Sequence, residues 1–397
     1  MNDVHNGSAP LSGIQVLDFT QGVAGPHATM MAALNGADVI KVEPLDGDWG
    51  RTLGKAYADQ SAHSIAFNRG KRSIAANLKD PKVRKIMQEM AASADVIVES
   101  FRPGVMARFG LDFESLSKTK PDLIYLSVTG FGQSGPNRDL PVTDAVIQAY
   151  SGWMTMNKSR DGMPQRTGMV AIDVMTGLYA YQAISNALLA RFRFGRGQYI
   201  DCSLMQSAAA FQSAKIIEQA LEGGGEVQAL YAPVGAFQTA DGIINISTMR
   251  DSHFEALCKV LQRPDMNADP RYNSRAARLD NEAELMSELQ KTFMSRSAAE
   301  WSAELSKADV INSIVLNYPQ FLSESHVQQT GAFSWVEMAE VGSVPMPKVP
   351  GFPTPAEMPS SLEVPAVGEH SRQILQAQGL DAGQVDSLVE AGVIGAG

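Results

Sequence analysis

The sequence predicts an α/β fold built on a parallel sheet, and the first third of the chain carries that prediction. Ile14–Phe19 is a short apolar run, a helical pattern opens at Gly25-Pro26 and ends near Gly36, and Asp38–Glu43 resumes as a strand. A strand, a helix and a strand within about 30 residues form a βαβ unit, whose two strands are parallel. The pattern then repeats, with a predicted helix at 80–94 and predicted strands at 95–99 and 123–129.

The rest of the chain predicts the end of this domain and a second, smaller one. Apolar residues at helical spacing predict one long helix over 173–192, followed by a strand over 199–204. Gly223-Gly224-Gly225 marks a plausible boundary. Beyond it, a β-hairpin at 237–247 and helical segments near 252–262 and 281–307 indicate an α+β domain over 225–330. A proline-rich extended connector is expected at 342–359, before two short helices.

Composition and charge exclude several classes of function. The formal net charge of −10 argues against nucleic acid as the main partner, because binding to a phosphate backbone needs a cationic face. The most apolar stretch, 170–190, contains polar residues such as Asp173 and Asn186, so a buried helix is expected there and no membrane span. Two cysteines make no disulfide framework and residues 1–10 resemble no signal peptide, so a cytoplasmic location is expected.

No metal or cofactor motif stands out in the sequence. The six histidines are scattered, and no pair of cysteines has the spacing of a zinc site. Gln21-Gly22-Val23-Ala24-Gly25-Pro26 follows the first strand where a dinucleotide-binding fold carries its glycine fingerprint, and it does not match that fingerprint. We therefore expect no metal and no prosthetic group, and a nicotinamide-dependent dehydrogenase is disfavoured.

Asp173 is the most unusually placed carboxylate. It lies in the apolar run Val170-Ala171-Ile172-Asp173-Val174-Met175, at the start of the long predicted helix. One interpretation is an ordinary helix N-cap. The other is a nucleophile, since partial burial makes a carboxylate more reactive while a helix N-terminus favours its charged form. The residue pattern alone leaves both interpretations open.

Basic residues cluster beside two predicted strands. Asn68-Arg69-Gly70-Lys71-Arg72 precedes one strand, and Ser100-Phe101-Arg102-Pro103-Gly104 follows another, with Arg108 about one turn further on. The carboxyl edge of a parallel sheet is where open α/β folds bind ligands, and arginine with an aromatic ring suits a nucleotide. The alternative is that these are solvated charges on surface loops.

The ordered set of motifs resembles the class III CoA-transferase family, which also contains the α-methylacyl-CoA racemases. The resemblance covers nearly the whole chain. The matching stretches are 11–18, Ala24-Gly25-Pro26, 36–43, Gly47-Asp48 with Arg51, 68–73, 101–104, 130–136, Gly195-Arg196-Gly197-Gln198, Asp269-Pro270-Arg271-Tyr272 and Gly368-Glu369-His370.

This resemblance implies a fold, a reaction and a site. It implies a Rossmann-like large domain built from residues 1–224 and completed by 331–397, and an interlocked homodimer. It also implies that CoA moves from an acyl-CoA to a small carboxylic acid, with coenzyme A as a substrate. Asp173 matches the family's catalytic aspartate. The positions that match CoA contacts are Val23, Ala24, Ala76, Lys79, Ser100, Phe101, Arg108 and Asp144.

Two departures from related sequences bear on the substrate. The glycine-rich loop of formyl-CoA transferases has no clear match, and Tyr231-Ala232-Pro233-Val234-Gly235 stands near its expected place. Racemases carry a histidine base just before the aspartate that matches Asp144, and here that residue is Thr143. A racemase or an intramolecular CoA-transferring isomerase is the alternative function, and a non-catalytic CoA-binding protein is disfavoured by the presence of Asp173.

Overall fold

The computed structural model describes residues 9–159, 161–224, 229–354, 357–358 and 362–397. The chain divides into two compact units, one formed by residues 1–221 with 332–397 and the other by 222–331. The first unit contains the sheet that positions the site, and both chain ends belong to it.

Among the described residues of the first unit, seven strands form one sheet, in the order β14 (Ile394–Gly395), β5 (Arg72–Ala76), β2 (Asp38–Glu43), β1 (Gln15–Phe19), β6 (Val96–Glu99), β7 (Ile124–Thr129) and β8 (Gln198–Ser203). All neighbours are parallel except β14, which runs antiparallel to β5. The predicted α/β fold with a parallel-sheet core is therefore confirmed. The strand order reverses direction between β1 and β6, so the loops after these two strands diverge and leave a crevice at the carboxyl edge.

The elements up to the sheet's last parallel strand occur in the following order. They are β1 (Gln15–Phe19), α1 (Ala24–Leu34), β2 (Asp38–Glu43), β3 (Ala56–Tyr57), β4 (Gln60–Ser61), α2 (Ala62–Asn68), β5 (Arg72–Ala76), α3 (Pro81–Ser93), β6 (Val96–Glu99), α4 (Val105–Phe109), α5 (Phe113–Leu116), β7 (Ile124–Thr129), α6 (Asp144–Tyr150), α7 (Ala171–Phe194), β8 (Gln198–Ser203), α8 (Leu204–Phe211) and α9 (Ser213–Leu221). Short 3-10 helices occur at Trp49–Thr52 and Trp153–Met156.

Alternation along the strands builds two apolar layers, because successive side chains point to opposite faces of a sheet. Leu17 of β1 packs with α3 on one face, and its neighbour Val16 packs with α1 and α7 on the other. Every residue of α1 is buried, since this helix lies between the sheet and α7. The 24-residue helix α7 is the long helix predicted from apolar spacing, and it carries Asp173.

The second unit contains the predicted hairpin and helices. Its elements are β9 (Val234–Gln238), β10 (Ile243–Ser247), α10 (Asp251–Val260), α11 (Pro264–Ala268), α12 (Arg275–Asp280), α13 (Glu282–Phe293), α14 (Ala298–Lys307), β11 (Ile311–Ile314), α15 (Tyr318–Ser323) and α16 (Ser325–Thr330). The segment expected to be helical over 281–307 is two helices, because Ser297 caps the second one through a capping box with Glu300.

The last part of the chain returns to the first unit. Its elements are β12 (Phe333–Met338), β13 (Gly342–Pro347), α17 (Ser371–Ala377), α18 (Ala382–Glu390) and β14 (Ile394–Gly395). The expectation of an extended connector over 342–359 is wrong for 342–347, which pair with β12 as an antiparallel hairpin. Residues 355–356 and 359 of that stretch lie outside the described residues. Within the described part of the chain, no helix combines the length and the apolar character needed to cross a membrane.

Candidate active site

A cavity of about 470 Å³ opens at the carboxyl edge of the sheet, at the crevice between β1 and β6. It is large enough to hold a substantial part of an organic ligand. Six of the predicted site residues line it, namely Val23, Ala24, Ser100, Phe101, Asp144 and Asp173. These six residues come from four separate stretches of the chain that meet at one site, as expected for the carboxyl edge of a doubly wound sheet.

The loop between β1 and α1, which forms one wall of this cavity, is held by buried charges. The Lys71 ammonium forms a salt bridge of 3.0 Å with Asp18 and donates to the Pro26 carbonyl at 2.9 Å. The Lys41 ammonium pairs with Asp48 at 2.9 Å and donates to the Thr20 carbonyl at 2.8 Å. Both ends of the loop are therefore tied to charges that have no access to solvent.

These ion pairs correct the expectation for the basic run 68–72. Lys71 is fully buried and forms a salt bridge with Asp18, and Arg72 of β5 forms a bidentate salt bridge with Asp38 of β2. Neither side chain is a solvated surface charge, and neither lines the cavity that holds Asp173. Although burial alone raises the pKa of the Asp18 carboxyl, the charges of Lys71 and Lys41 outweigh it and hold that pKa well below its usual value. Lys71 therefore holds both flanks of the β1–α1 loop in place, whereas Arg72 joins two neighbouring strands of the sheet.

Asp144 organises the start of the helix that carries Asp173. Its Oδ2 accepts the backbone N–H of Ile172 at 2.7 Å and that of Asp173 at 3.0 Å, so it caps α7 from a different helix. Its Oδ1 accepts the Gln148 amide at 2.5 Å. Gln148 in turn accepts the backbone N–H of Thr167, just before α7. Asp144 therefore fixes the backbone beneath Asp173, while both residues line the cavity.

This arrangement excludes one of the two sequence-based interpretations of Asp173, that of a helix N-cap. The helix begins at Ala171 with Val170 at its N-cap position, so Asp173 is the third helical residue and is not the cap. The N–H groups of Ile172 and Asp173 are engaged by Asp144, so they are not free to stabilise a charged intermediate. The physical reason is that a carboxylate from another element satisfies these donors, which a local sequence pattern cannot reveal.

The Asp173 carboxyl has a strongly perturbed pKa. Burial raises the pKa from its usual value of 3.8 to about 7, and the negative charge of Asp144 adds to the increase. The helix terminus therefore does not hold Asp173 in its charged form, contrary to the sequence-based expectation. A carboxylate that is only partly ionised at neutral pH and lies in a ligand-sized cavity is typical of a functional site.

A second cavity, of about 390 Å³, adjoins the first. Ala76 and Lys79 line it, while Gln21 and Phe101 line both cavities. The Phe101 N–H donates to the buried Glu99 carboxylate at 2.8 Å, which fixes the loop after β6. The remaining predicted CoA contact, Arg108, is exposed near the end of α4 and belongs to the lining of neither cavity.

Four further side chains line this cavity, and the sequence singled out only two of them, Arg102 and Thr143. Trp49, Arg102, Arg138 and Thr143 line the cavity with Asp173. Trp49 packs against Gly22, where a Cβ atom would lie 2.1 Å from the indole ring. Arg102 stands in the loop after a predicted strand, which was a usable signal. Arg138 follows a glycine-rich turn and carries no local pattern that could have identified it.

Comparisons with known proteins identify the family of this chain. A family model described as CoA-transferase family III matches residues 11–371. The chain belongs to CoA-transferase family III. It is therefore an enzyme of the CoA-transferase type, and the resemblance in its sequence motifs is confirmed.

Relatives in this family match along most of their length. The chain is 34 % identical to a succinyl-CoA:glutarate CoA-transferase of Mus musculus, over 97 % of this chain and 90 % of the relative. It is 36 % identical to an acetyl-CoA:oxalate CoA-transferase of Acetobacter aceti, over 92 % of this chain and 95 % of the relative. A crystal structure of a CAIB/BAIF family protein from Brucella suis superimposes with a TM-score of 0.83 at 30 % identity, covering 94 % of this chain and all of that one.

The raised pKa of Asp173 predicts how CoA transfer depends on pH. If the ionised carboxylate is the reactive form, kcat/KM falls as the pH drops through about 7, because protonation removes the attacking oxygen. Asp144→Asn keeps an oxygen to cap α7 but removes the negative charge, so the pKa of Asp173 decreases and the acidic limb moves to lower pH. A pH–rate profile measures this shift.

A surface carboxylate provides the control for that experiment. Glu89→Gln removes one negative charge from an exposed position on α3 and should leave the profile unchanged. An Asp144→Asn profile that moves to higher pH, or that coincides with the wild-type profile, would contradict the assignment of the acidic limb to Asp173.

Proposed function

We propose that this enzyme transfers CoA from an acyl-CoA to a small carboxylic acid through covalent intermediates on Asp173. The observation that carries the proposal is the position of Asp173, whose carboxyl faces a cavity of about 470 Å³ and has a pKa raised by burial. A partly desolvated carboxylate is more nucleophilic than one in bulk water. The family's catalytic aspartate matches this position, which supports the same role here.

The proposed cycle conserves atoms and needs no proton. An Asp173 oxygen attacks the donor thioester carbonyl, forms a mixed anhydride and expels CoA as thiolate. The thiolate attacks the aspartyl carbonyl, which releases the donor acid and leaves an aspartyl-CoA thioester. The acceptor carboxylate then attacks that thioester, expels CoA as thiolate and forms a second anhydride. CoA thiolate finally attacks the acceptor's carbonyl, giving acceptor-CoA and restoring the Asp173 carboxylate.

We further propose that the two adjoining cavities hold CoA, with the thioester near Asp173 and the nucleotide end toward Lys79. Gln21 and Phe101 line both cavities and thus mark a continuous path for an elongated ligand. The matches of Val23, Ala24, Ala76, Ser100 and Phe101 to CoA contacts in the family lie along this path. The CoA contacts of Arg108 and Asp144 remain predictions, and Asp144 has both oxygens engaged within the protein.

A dicarboxylic acid is the substrate class that we favour. Arg102 and Arg138 line the cavity of Asp173, whose other walls include apolar residues such as Phe19, Val128 and Leu204. A guanidinium group suits a second carboxylate at the far end of an acyl chain. The relatives named above act on succinyl-CoA with glutarate or on acetyl-CoA with oxalate, and glutarate and oxalate each carry two carboxylates.

A racemase remains the alternative within the same superfamily. Proton exchange at the α-carbon needs a base on each face. Thr143, which lines the cavity where racemases carry a histidine, has a hydroxyl that cannot serve as a base at neutral pH. This observation favours CoA transfer, and incorporation of deuterium at the α-carbon of an acyl-CoA in D₂O would favour the alternative.

We also propose that two chains form a homodimer. Helices α7 to α9 leave large apolar side chains in water, including Phe192 at 90 % exposure and Leu221 at 83 %. Apolar surface of this kind is typical of a face that another chain covers. The interlocked arrangement of the resembling family supports the same assembly.

The role of Asp173 predicts a trapped intermediate. Asp173→Ala should lower the transfer rate by several orders of magnitude, because no other group replaces the attacking oxygen, while CoA still binds. Asp173→Asn should be nearly as inactive. Wild-type enzyme given donor without acceptor should gain a covalent CoA adduct that hydroxylamine cleaves, and mass spectrometry of tryptic peptides should locate it at Asp173. An adduct elsewhere, or an Ala variant that keeps more than about 10 % of the rate (~1.4 kcal/mol), would refute the assignment.

The proposed CoA path predicts unequal effects of two basic residues. Lys79→Ala should weaken CoA binding about five- to tenfold at low salt and less at high salt, because an exposed ammonium acts through screened attraction. Arg108→Ala is the matched comparison, since it removes an exposed cation outside both cavities. Calorimetric titration with CoA measures both. A larger loss of CoA affinity for Arg108→Ala than for Lys79→Ala would indicate that the nucleotide end of CoA lies near α4.

The proposed assembly predicts a sedimentation result. Sedimentation equilibrium should give twice the chain mass of 42.7 kDa, and Phe192→Ser should promote dissociation because it removes an exposed apolar ring from α7. Met249→Ser, an exposed apolar side chain in the second unit, serves as the comparison. A folded wild-type species with the mass of one chain would contradict the homodimer.

A further inference from the structure

Arg69 is a buried cation for which the described residues provide no counter-ion. Only 5 % of its surface is exposed, and its Nη2 donates to the Pro347 carbonyl at 2.7 Å. Its Nε has no hydrogen-bond partner, and none of the carboxylates that the structure describes forms a salt bridge with it. Burial therefore lowers the pKa of this guanidinium with no compensating negative charge nearby.

The neighbours of Arg69 in the same basic run show what is missing. Lys71 has Asp18 at 3.0 Å and Arg72 has Asp38 at 2.6 Å. A buried charge whose partner is absent is strongly unfavourable, whereas one with an opposite charge and satisfied donors is tolerated. The environment of Arg69 is therefore completed only when an anion reaches the free face of its guanidinium.

A small cavity of about 100 Å³ lies where such an anion could bind. Arg69 and Lys348 line it together with Ser334 and Thr354, and Phe352 closes one side. The lining contains two cationic side chains, no carboxylate and two hydroxyl groups, of which that of Thr354 donates to the Glu357 carboxylate at 2.9 Å. None of its residues belongs to the cavity of Asp173 or to the adjoining one.

We propose that Arg69 and Lys348 form a subsite for one small oxyanion, a carboxylate or phosphate group, separate from the CoA-transfer site. A guanidinium offers a planar pair of donors that matches two oxygens of such a group, and an ammonium adds a second charge. The oxyanion comes either from a free anion in solution or from an acidic side chain of a second copy of this chain. The subsite does not depend on the proposed transfer reaction.

Thermal unfolding in different anions tests the free-anion source. At constant ionic strength, replacing chloride by phosphate should raise the wild-type midpoint by about 2–4 °C and then saturate. Arg69→Met should abolish the saturating increase, and Lys348→Met should reduce it. Arg72→Met is the matched control, because it removes a cation of the same run that already has a carboxylate partner, and it should keep the full response. A linear, non-saturating increase shared by all four proteins is the general effect of phosphate on stability and would overturn this arm.

Sedimentation equilibrium tests the other source of the oxyanion, an acidic side chain of a second copy of the chain. It compares Lys348→Met with Arg72→Met and therefore does not require Arg69→Met to fold. This test applies when phosphate has no saturating effect on the wild type. If the dimer dissociation constant of Lys348→Met is then about tenfold higher than that of Arg72→Met, the oxyanion comes from the second copy of the chain. Equal dissociation in both variants, together with no phosphate response in wild type, overturns the proposal.

Discussion

The buried ion pairs beneath the β1–α1 loop are the interactions on which the rest of the site depends. Lys71 pairs with Asp18 and Lys41 pairs with Asp48. The Lys71 ammonium also donates to the Pro26 carbonyl in the first turn of α1, and the Lys41 ammonium donates to the Thr20 carbonyl in the loop. Removing one member of such a pair would leave an uncompensated charge in the core, which costs about 3–5 kcal/mol. The wall of the cavity is therefore rigid before any ligand arrives, and rigidity reduces the entropic cost of holding a long, flexible substrate.

The same network extends to the other side of the cavity. Asp48 Oδ1 accepts the backbone N–H of Gly22 and that of Gly50, both at 2.8 Å. The β1–α1 loop, which contains Gly22, is therefore joined to the residues on either side of Trp49. Glu43 and Arg51 form a further buried pair beside them, and Arg51 also donates to the Pro365 carbonyl at 3.0 Å. The returning end of the chain is thus tied to the loops that form the site.

The sequence was sufficient for the sheet because its signals are local. Most parallel strands are short, largely apolar runs, and α7 shows helical spacing over most of its length, so the fold class and most strand positions followed from local patterns. The expectation for residues 342–347 failed because a proline-rich strand has a weak local signal and is stabilised here by pairing with β12.

The roles of charged residues were less predictable because their partners are distant in sequence. Asp18 meets a lysine 53 positions away, and Asp144 caps a helix that begins 27 positions further on. From sequence, Lys71 and Arg72 had the pattern of a ligand-binding cluster, and Asp173 had that of a helix cap. In each case the tertiary partner decides the role, and no local spacing encodes it. The residue pattern left a helix cap and a nucleophile both open for Asp173, and only the resemblance to a family favoured the nucleophile.

The cap on α7 imposes a compromise on the proposed chemistry. Asp144 holds the backbone of Asp173 in place, yet its negative charge and the surrounding burial raise the pKa of Asp173 to about 7. Near neutral pH a substantial fraction of the carboxyl is then protonated and unreactive. The ionised fraction, however, is poorly solvated and therefore more nucleophilic. Because the transfer cycle neither takes up nor releases a proton, no general acid or base has to compensate for this loss, and a pair of adjacent carboxylates is compatible with the reaction.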